Sequence, residues 1–250
     1  MQDSPTSPDG TPRGVVAVTG GGRGIGAAVC RRLGRDGRTV LVGYLRDREA
    51  AEQVAVDVRA AGGRAEAVAV DVRDEGSVEA FVAAALALGP LTGLVANAGA
   101  ARAVGALVDN DLDDIRRDVE VNLVGVIATV RAGLAAMGEG GAVVTLSSAS
   151  ATLGAAGRYV HYAAAKAGVE AFTVGVAREA AERGVRVNAV APGTTWTDFH
   201  VEPDRPAQVA PTVPLGRAGD ADEIAAAVVW LLGEDASYTT GAVLRVAGGL

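Results

Sequence analysis

Tyr162 and Lys166 stand four residues apart in the run Tyr-Ala-Ala-Ala-Lys, so a helix would place both on one face. The residues between them are alanines, which leave room for a ligand beside that face. A free phenol has a pKa of ~10 and is a poor base near neutrality. A neighbouring ammonium, or another positive group bound beside it, would favour the phenolate and bring that value down. Such a pair can give a proton to a carbonyl oxygen or take one from an alcohol. Ser148 follows the apolar run 143–146, at the end of a strand. Its hydroxyl would hydrogen-bond the same oxygen and stabilise charge developing there. Ser147 and Ser150 are rival positions for that hydroxyl.

A second constellation lies near the N-terminus, in Thr19-Gly-Gly-Gly-Arg-Gly-Ile-Gly26. Glycines after a first strand let the backbone turn sharply and approach a pyrophosphate, and the following helix offers free N–H groups and a positive dipole end. The spacing Gly20, Gly24, Gly26 differs from the common Gly-x-Gly-x-x-Gly fingerprint. Sites that prefer NAD place an acid about 20 residues further on, at the end of the second strand. Here that strand runs into Gly43-Tyr44-Leu45-Arg46, with no acid until Asp47. Arg23 and Arg46 are therefore expected to meet a ribose 2′-phosphate, which favours NADPH and NADP+. NADH stays possible if Asp47 reaches back to the ribose and both arginines are merely solvated.

The elements that must position these residues alternate along the chain. Strands are expected at 15–19, 39–42, 65–70, 94–96, 142–146, 186–190 and 243–246. Helices are expected near 24–35, 48–61, 77–88, 111–137, 159–182 and 222–232. Alternation of this kind implies right-handed crossovers: a single doubly wound α/β domain of Rossmann type, with a seven-stranded parallel sheet covered on both faces. The domain is expected to span 14–250, after a Pro-, Ser- and Asp-containing leader at 1–13 that cannot form an apolar core. The segment 192–218 is irregular and holds Pro203, Pro206, Pro211 and Pro214, as a lid or binding loop would.

Composition narrows the partners. A net charge of −7 with scattered basic residues argues against nucleic acid. Two histidines and one cysteine supply no metal-ligand cluster. No uninterrupted apolar run reaches the ~18 residues of a membrane span, and nothing suggests export, so a soluble cytoplasmic protein is expected.

In order along the chain, these motifs resemble those of the short-chain dehydrogenases/reductases. Thr19-Gly20-x-x-x-Gly24-Ile25-Gly26 matches the family's cofactor motif. Asp71-Val72 matches its adenine-contacting position, and Asn97-Ala98-Gly99 its motif after the fourth strand. Asn122, Ser148, Tyr162 and Lys166 match its catalytic tetrad, and Pro192-Gly193 follows the sixth strand as in the family. The departures are Ala96 before Asn97, a tail of Val246-Ala-Gly-Gly-Leu250 lacking the usual aspartate, and one extra residue between Ser148 and Tyr162. The resemblance implies that Lys166 holds the nicotinamide ribose and that Asn122 positions a water in a proton relay. It implies cofactor contacts from Gly20, Arg23, Gly24, Ile25, Gly26, Tyr44, Arg46, Asp71, Val72, Asn97, Ala98, Gly99, Tyr162, Lys166, Pro192, Gly193 and Thr195. It also implies a homotetramer paired through the helices near 111–137 and 159–182.

Bland expectations attach to the neighbours. His161 is expected at the pocket rim, Tyr159 in a structural role, and His200 in a loop near substrate. Trp196 and Phe199 are expected to form a hydrophobic lid. The expected reaction interconverts a small-molecule ketone or ketoacyl group and a secondary alcohol. Two alternatives stand beside it: a 3-oxoacyl-carrier-protein reductase, and a catalytically silent NADP-sensing protein.

Overall fold

Short runs rich in valine and alanine build the centre of the protein. The computed structural model describes residues 14–250; the leader expected at 1–13 lies outside the described residues. Strands β1 (Val15–Val18), β2 (Thr39–Tyr44), β3 (Arg64–Ala69), β4 (Leu91–Ala96), β5 (Ala142–Leu146) and β6 (Arg186–Pro192) are joined by helical crossovers. With a last strand, here numbered β9 (Val243–Val246), they form a seven-stranded sheet in the order β3-β2-β1-β4-β5-β6-β9. Every neighbouring pair runs parallel. All four residues of β1 and all five of β5 are buried, because helices cover both faces and no polar alternation is needed.

One face carries α1 (Gly24–Arg35), α2 (Arg48–Ala60) and, near the C-terminus, α9 (Ala221–Leu232), with Leu33, Val54 and Ile224 in its core. The other carries α3 (Glu75–Leu88), α4 (Leu112–Val119), α5 (Gly125–Ala136) and, after the short α6 (Ser150–Leu153), the long α7 (Val160–Ala180). Phe81, Val130 and Val169 fill that second core. Aspartates begin several of these helices: Asp47 accepts from the Ala50 N–H at 3.0 Å and Asp74 from the Ser77 N–H at 2.8 Å. Each satisfies a donor that the helix itself cannot. No side chain caps α1.

The helix expected over 111–137 is continuous but changes winding. Glu120–Val124, between α4 and α5, forms a π-helical turn. There Asn122 donates from Nδ2 to the Asp118 carbonyl at 2.8 Å, and Gly125 packs so tightly that an added Cβ would lie 2.6 Å from Val72. By length and composition Leu112–Ala136 would cross a membrane, with a mean hydropathy of 1.5 over its most apolar window. Its buried residues Val126, Val130 and Gly133 instead cover the sheet. The irregular 192–218 segment holds structure that its prolines hid. It contains β7 (Thr195–Trp196), paired in parallel with β8 (Gly219–Asp220), and a short helix α8 (Arg205–Val209).

Asn97 ties the end of β4 to the glycine turn after β1. Its Nδ2 donates to the carbonyls of Thr19 at 3.0 Å and Gly20 at 3.1 Å, while its own N–H donates to the Thr19 hydroxyl at 3.1 Å. Asn97→Ala leaves two carbonyls short of a partner and should cost about 2 kcal/mol. The midpoint measured by calorimetry should fall by about 4–8 °C. An unchanged midpoint would show that this side chain does not hold the turn.

Candidate functional site

Strand order reverses direction between β1 and β4, and the crevice at their carboxyl ends is where such sheets take ligands. A cleft of about 460 Å³ opens there. One end is built from backbone. Gly20 and Gly24 have φ of +65° and +52°, a conformation that side-chain-bearing residues resist. Gly26 sits so close to the turn that an added Cβ would lie 2.2 Å from the Gly20 carbonyl oxygen. The first N–H groups of α1 meet no capping side chain, so they are available to an anion. Arg23 and Arg46 are exposed at this end of the cleft, and among the described residues no ion pair engages either. Asp47 is committed to capping α2. These features fit a dinucleotide carrying an extra phosphate.

The adenine-side positions are also in place. Asp71 and Val72 line the cleft. The Asp71 carboxylate is held by Arg73 at 2.9 and 2.5 Å, and that guanidinium holds it below the usual carboxylate range. Ile25, Tyr44, Asn97, Ala98, Gly99 and Gly24 lie along the same wall. Beyond them Pro192, Gly193 and Thr195 continue it from the end of β6. Gly193 is required by packing, since an added Cβ would lie 2.7 Å from the Ala247 Cα.

The other end holds ionisable side chains. Lys166, 3% exposed, donates from Nζ to the Leu146 carbonyl at the end of β5, at 2.8 Å. Its Nζ lies 5.6 Å from the Tyr162 ring centre. Burial lowers the ammonium to about 8. Tyr162, 7% exposed, is pushed above the ordinary phenol value by burial, against a hydrogen bond with Ser148 that lowers it. The charges of Tyr159 and Asp118 add to the upward push. In the protein alone, loss of solvent outweighs the influences that lower the phenol.

All three serines line the cleft, but the half-buried Ser148 is the one that meets the phenol. Ser147 points elsewhere: its hydroxyl contacts the Lys166 carbonyl at 3.2 Å and Glu170 at 2.7 Å. Ser150 begins α6 and donates its N–H to the Ser148 hydroxyl at 3.1 Å. Asn122 is fully buried and does not line the cleft. Its Nδ2 bonds the Ala100 and Asp118 carbonyls, and its Oδ1 accepts from the Ala100 N–H at 3.3 Å. The side chain pins the loop after β4.

Three neighbours depart from expectation. His161 is not at the rim: its ring is buried and its Nε2 lies 3.1 Å from Asp118, whose side chain is 1% exposed. Helix geometry turns it inward, away from the cleft. Asp118, unnoticed in the sequence, also accepts from the N–H groups of Arg102 and Ala103 at 2.8 and 3.1 Å. It sits four residues before Asn122, so one helix face holds the loop 100–103 twice. Tyr159 is not merely structural but walls the cleft, edge-on to Tyr162 at 5.3 Å. Of the expected lid, Phe199 and His200 line the cleft, with Phe199 5.7 Å from the Tyr162 ring. Trp196 does not line it and is 46% exposed. Among the described residues no group of His, Cys, Asp and Glu could hold a metal.

The chain is similar to known proteins over nearly its whole length. The family model described as enoyl-(acyl carrier protein) reductase matches residues 20–250. The uncharacterized oxidoreductase YgfF of Escherichia coli is 38% identical over 94% of this chain and 99% of its own. The cis-4-hydroxycyclohexanecarboxylate dehydrogenase of Sinomonas cyclohexanicum is 40% identical over 94% of this chain and 95% of its own. A short-chain dehydrogenase from Burkholderia cenocepacia, solved in complex with NADP, is 37% identical with a TM-score of 0.87, covering 94% of this chain and 96% of that one. With an uncapped glycine turn at one end of the cleft and a buried tyrosine–lysine pair at the other, the chain belongs to the short-chain dehydrogenase/reductase family and is an NAD(P)-dependent oxidoreductase.

Proposed function

We propose that this oxidoreductase interconverts a carbonyl and a secondary alcohol, with Tyr162 as its acid/base. The observation that carries this reading is the meeting of Ser148, Tyr162 and Lys166 at the end of the cleft opposite the glycine turn. The nicotinamide supplies or accepts the hydride. In the reducing direction Tyr162 gives its proton to the carbonyl oxygen, and Ser148 hydrogen-bonds that oxygen as charge builds on it. A protonated phenol is the form that reduction requires, and burial favours it. The Lys166 ammonium then faces the phenolate that results, and also holds the nicotinamide ribose. Asn122 acts through the loop it pins after β4.

Arg23 and Arg46 carry the preference for NADPH over NADH, through charge-assisted hydrogen bonds to the 2′-phosphate. Asp47 spends one carboxylate oxygen on its cap, and the exposed arginines offer the cleft positive charge there. The carrier-protein alternative wants a basic patch near the pocket. Arg183 does not supply one, since it donates to the Leu134 carbonyl at 2.9 Å and to that of Met137. A silent sensor has no need for the proton donor that Tyr162 and Ser148 provide. The reading takes the protein to work in the cytoplasm as a homotetramer. Ala164, Ala167 and Ala171 lie exposed along α7, where a second helix can approach closely, while Ala163 and Ala165 pack inward.

Three outcomes test these statements. Tyr162→Phe should lower kcat by about a hundredfold or more in a spectrophotometric screen of carbonyls with NADPH, while NADPH still binds. Retention of over a tenth of wild-type kcat would remove Tyr162 from its role. Arg23→Ala should raise the Kd of NADPH roughly tenfold and leave that of NADH almost unmoved, as read by calorimetric titration; equal weakening of both would contradict the phosphate assignment. Light scattering at micromolar protein should give four times the chain mass, and a monomer mass would rule out the tetramer.

A further inference from the structure

Beside the catalytic end of the cleft lies a small recess of about 20 Å³ that shares Tyr159, Phe199 and His200 with it. Its remaining walls include Arg158, Arg205 and one carboxylate, Glu202. Two guanidinium groups thus face a single acid. Arg158 gives one bond, from Nη2 to Glu202 at 3.3 Å, while its Nε is closed off from solvent and meets no acceptor. A guanidinium has five N–H donors, so this one is poorly satisfied. Arg205 is half-buried, and among the described residues its side chain has no ion-pair partner.

His200 reports the local field. Its Nε2 sits 3.0 Å from the Thr195 carbonyl, which can only accept, so that nitrogen donates. Burial is the main cause of its lowered pKa, and the positive charges of Arg205 and Arg158 push the same way. Glu202 pairs with Arg158, which leaves Arg205 as the cation of this recess without an ion-pair partner among the described residues. An uncompensated cation in a wall of aromatic and aliphatic groups is costly until an anion meets it. The recess is separate from the cofactor's phosphate end, which lies at Arg23 and Arg46. It is also too narrow for the face of a macromolecule, with room for about one water-sized group such as a carboxylate oxygen.

We propose that this recess is an anion subsite, in which Arg158 and Arg205 hold the carboxylate of a substrate whose reacting carbonyl or alcohol lies against Tyr162. The substrate class is then a keto acid or its hydroxy acid, with several bonds between the two groups. Tyr159 and Phe199, each in ring contact with Tyr162, lie between acid and reaction centre. Glu202, with its side chain 47% exposed, yields its place as the ligand enters. The redox half of the proposal rests on the reading above, but the subsite does not.

The test uses the NADP+-loaded protein and calorimetric titration with 5-oxohexanoate and 4-oxocyclohexanecarboxylate, each against its carboxamide. Wild type should bind at least one acid roughly tenfold more tightly than its amide. The double variant Arg158→Gln/Arg205→Gln should bring that ratio near one. Glu202→Gln, which removes the competing carboxylate, should raise it. Equal binding of acid and amide by wild type, including no detectable binding of either, overturns the subsite, as does a ratio unmoved in the double variant. Preferential acid binding with no NADPH oxidation by either keto acid would support the subsite and count against the carbonyl-reducing reading.

Discussion

A single hydrogen bond governs the catalytic end of this protein, the one from the Lys166 ammonium to the Leu146 carbonyl at 2.8 Å. A buried ammonium without an acceptor would be expelled or deprotonated. The end of β5 supplies the acceptor, and Ser147 answers by bonding the Lys166 carbonyl. The two contacts clasp α7 to the sheet edge at one fixed height and rotation. Tyr162, one helical turn earlier, is thereby aimed at the cleft, with Ser148 from the β5 end beside its phenol. Parallel strands make this clasp possible, since all of them bring their carboxyl ends to the same edge.

The opposite end of the cleft obeys a different rule. There the ligand meets backbone, and the requirement is space. Gly20, Gly24 and Gly26 give it by turning where side chains could not follow, and by letting α1 start close against β1. Asn97 then locks that turn to β4, so the two ends of the cleft keep their separation. The charge distribution follows the same division. A chain with a net charge of −7 still places Arg23 and Arg46 at one end, and Arg158 and Arg205 at the other.

Much of this was legible in the residues. Strands buried on both faces read as apolar runs, and the Tyr-x-x-x-Lys spacing reports helical adjacency directly. The Ser148 hydroxyl lies beside the phenol and that of Ser147 turns to Glu170, as successive residues at a strand end point in opposite directions. What stayed hidden depended on contacts distant in sequence. Asp118 and His161 lie far apart in the chain, so neither spacing nor composition pairs them, and His161 was expected at the rim. The π turn at Glu120–Val124 has no periodic signature, since the surrounding pattern remains helical. Trp196 and Phe199 looked equivalent in an irregular loop. The short pairing of β7 with β8 sends one outward and leaves the other over Tyr162.

The protein alone keeps Tyr162 protonated, because burial outweighs its other influences. To act as a base in the oxidising direction, Tyr162 needs the positive nicotinamide ring beside Lys166 to bring its phenol down. Ultraviolet difference titration of tyrosinate, with Tyr162→Phe subtracted, measures this directly. In the presence of saturating NADP+, the Tyr162 transition should move down by more than about one pH unit. A transition that stays where it lies in the free protein would contradict the account.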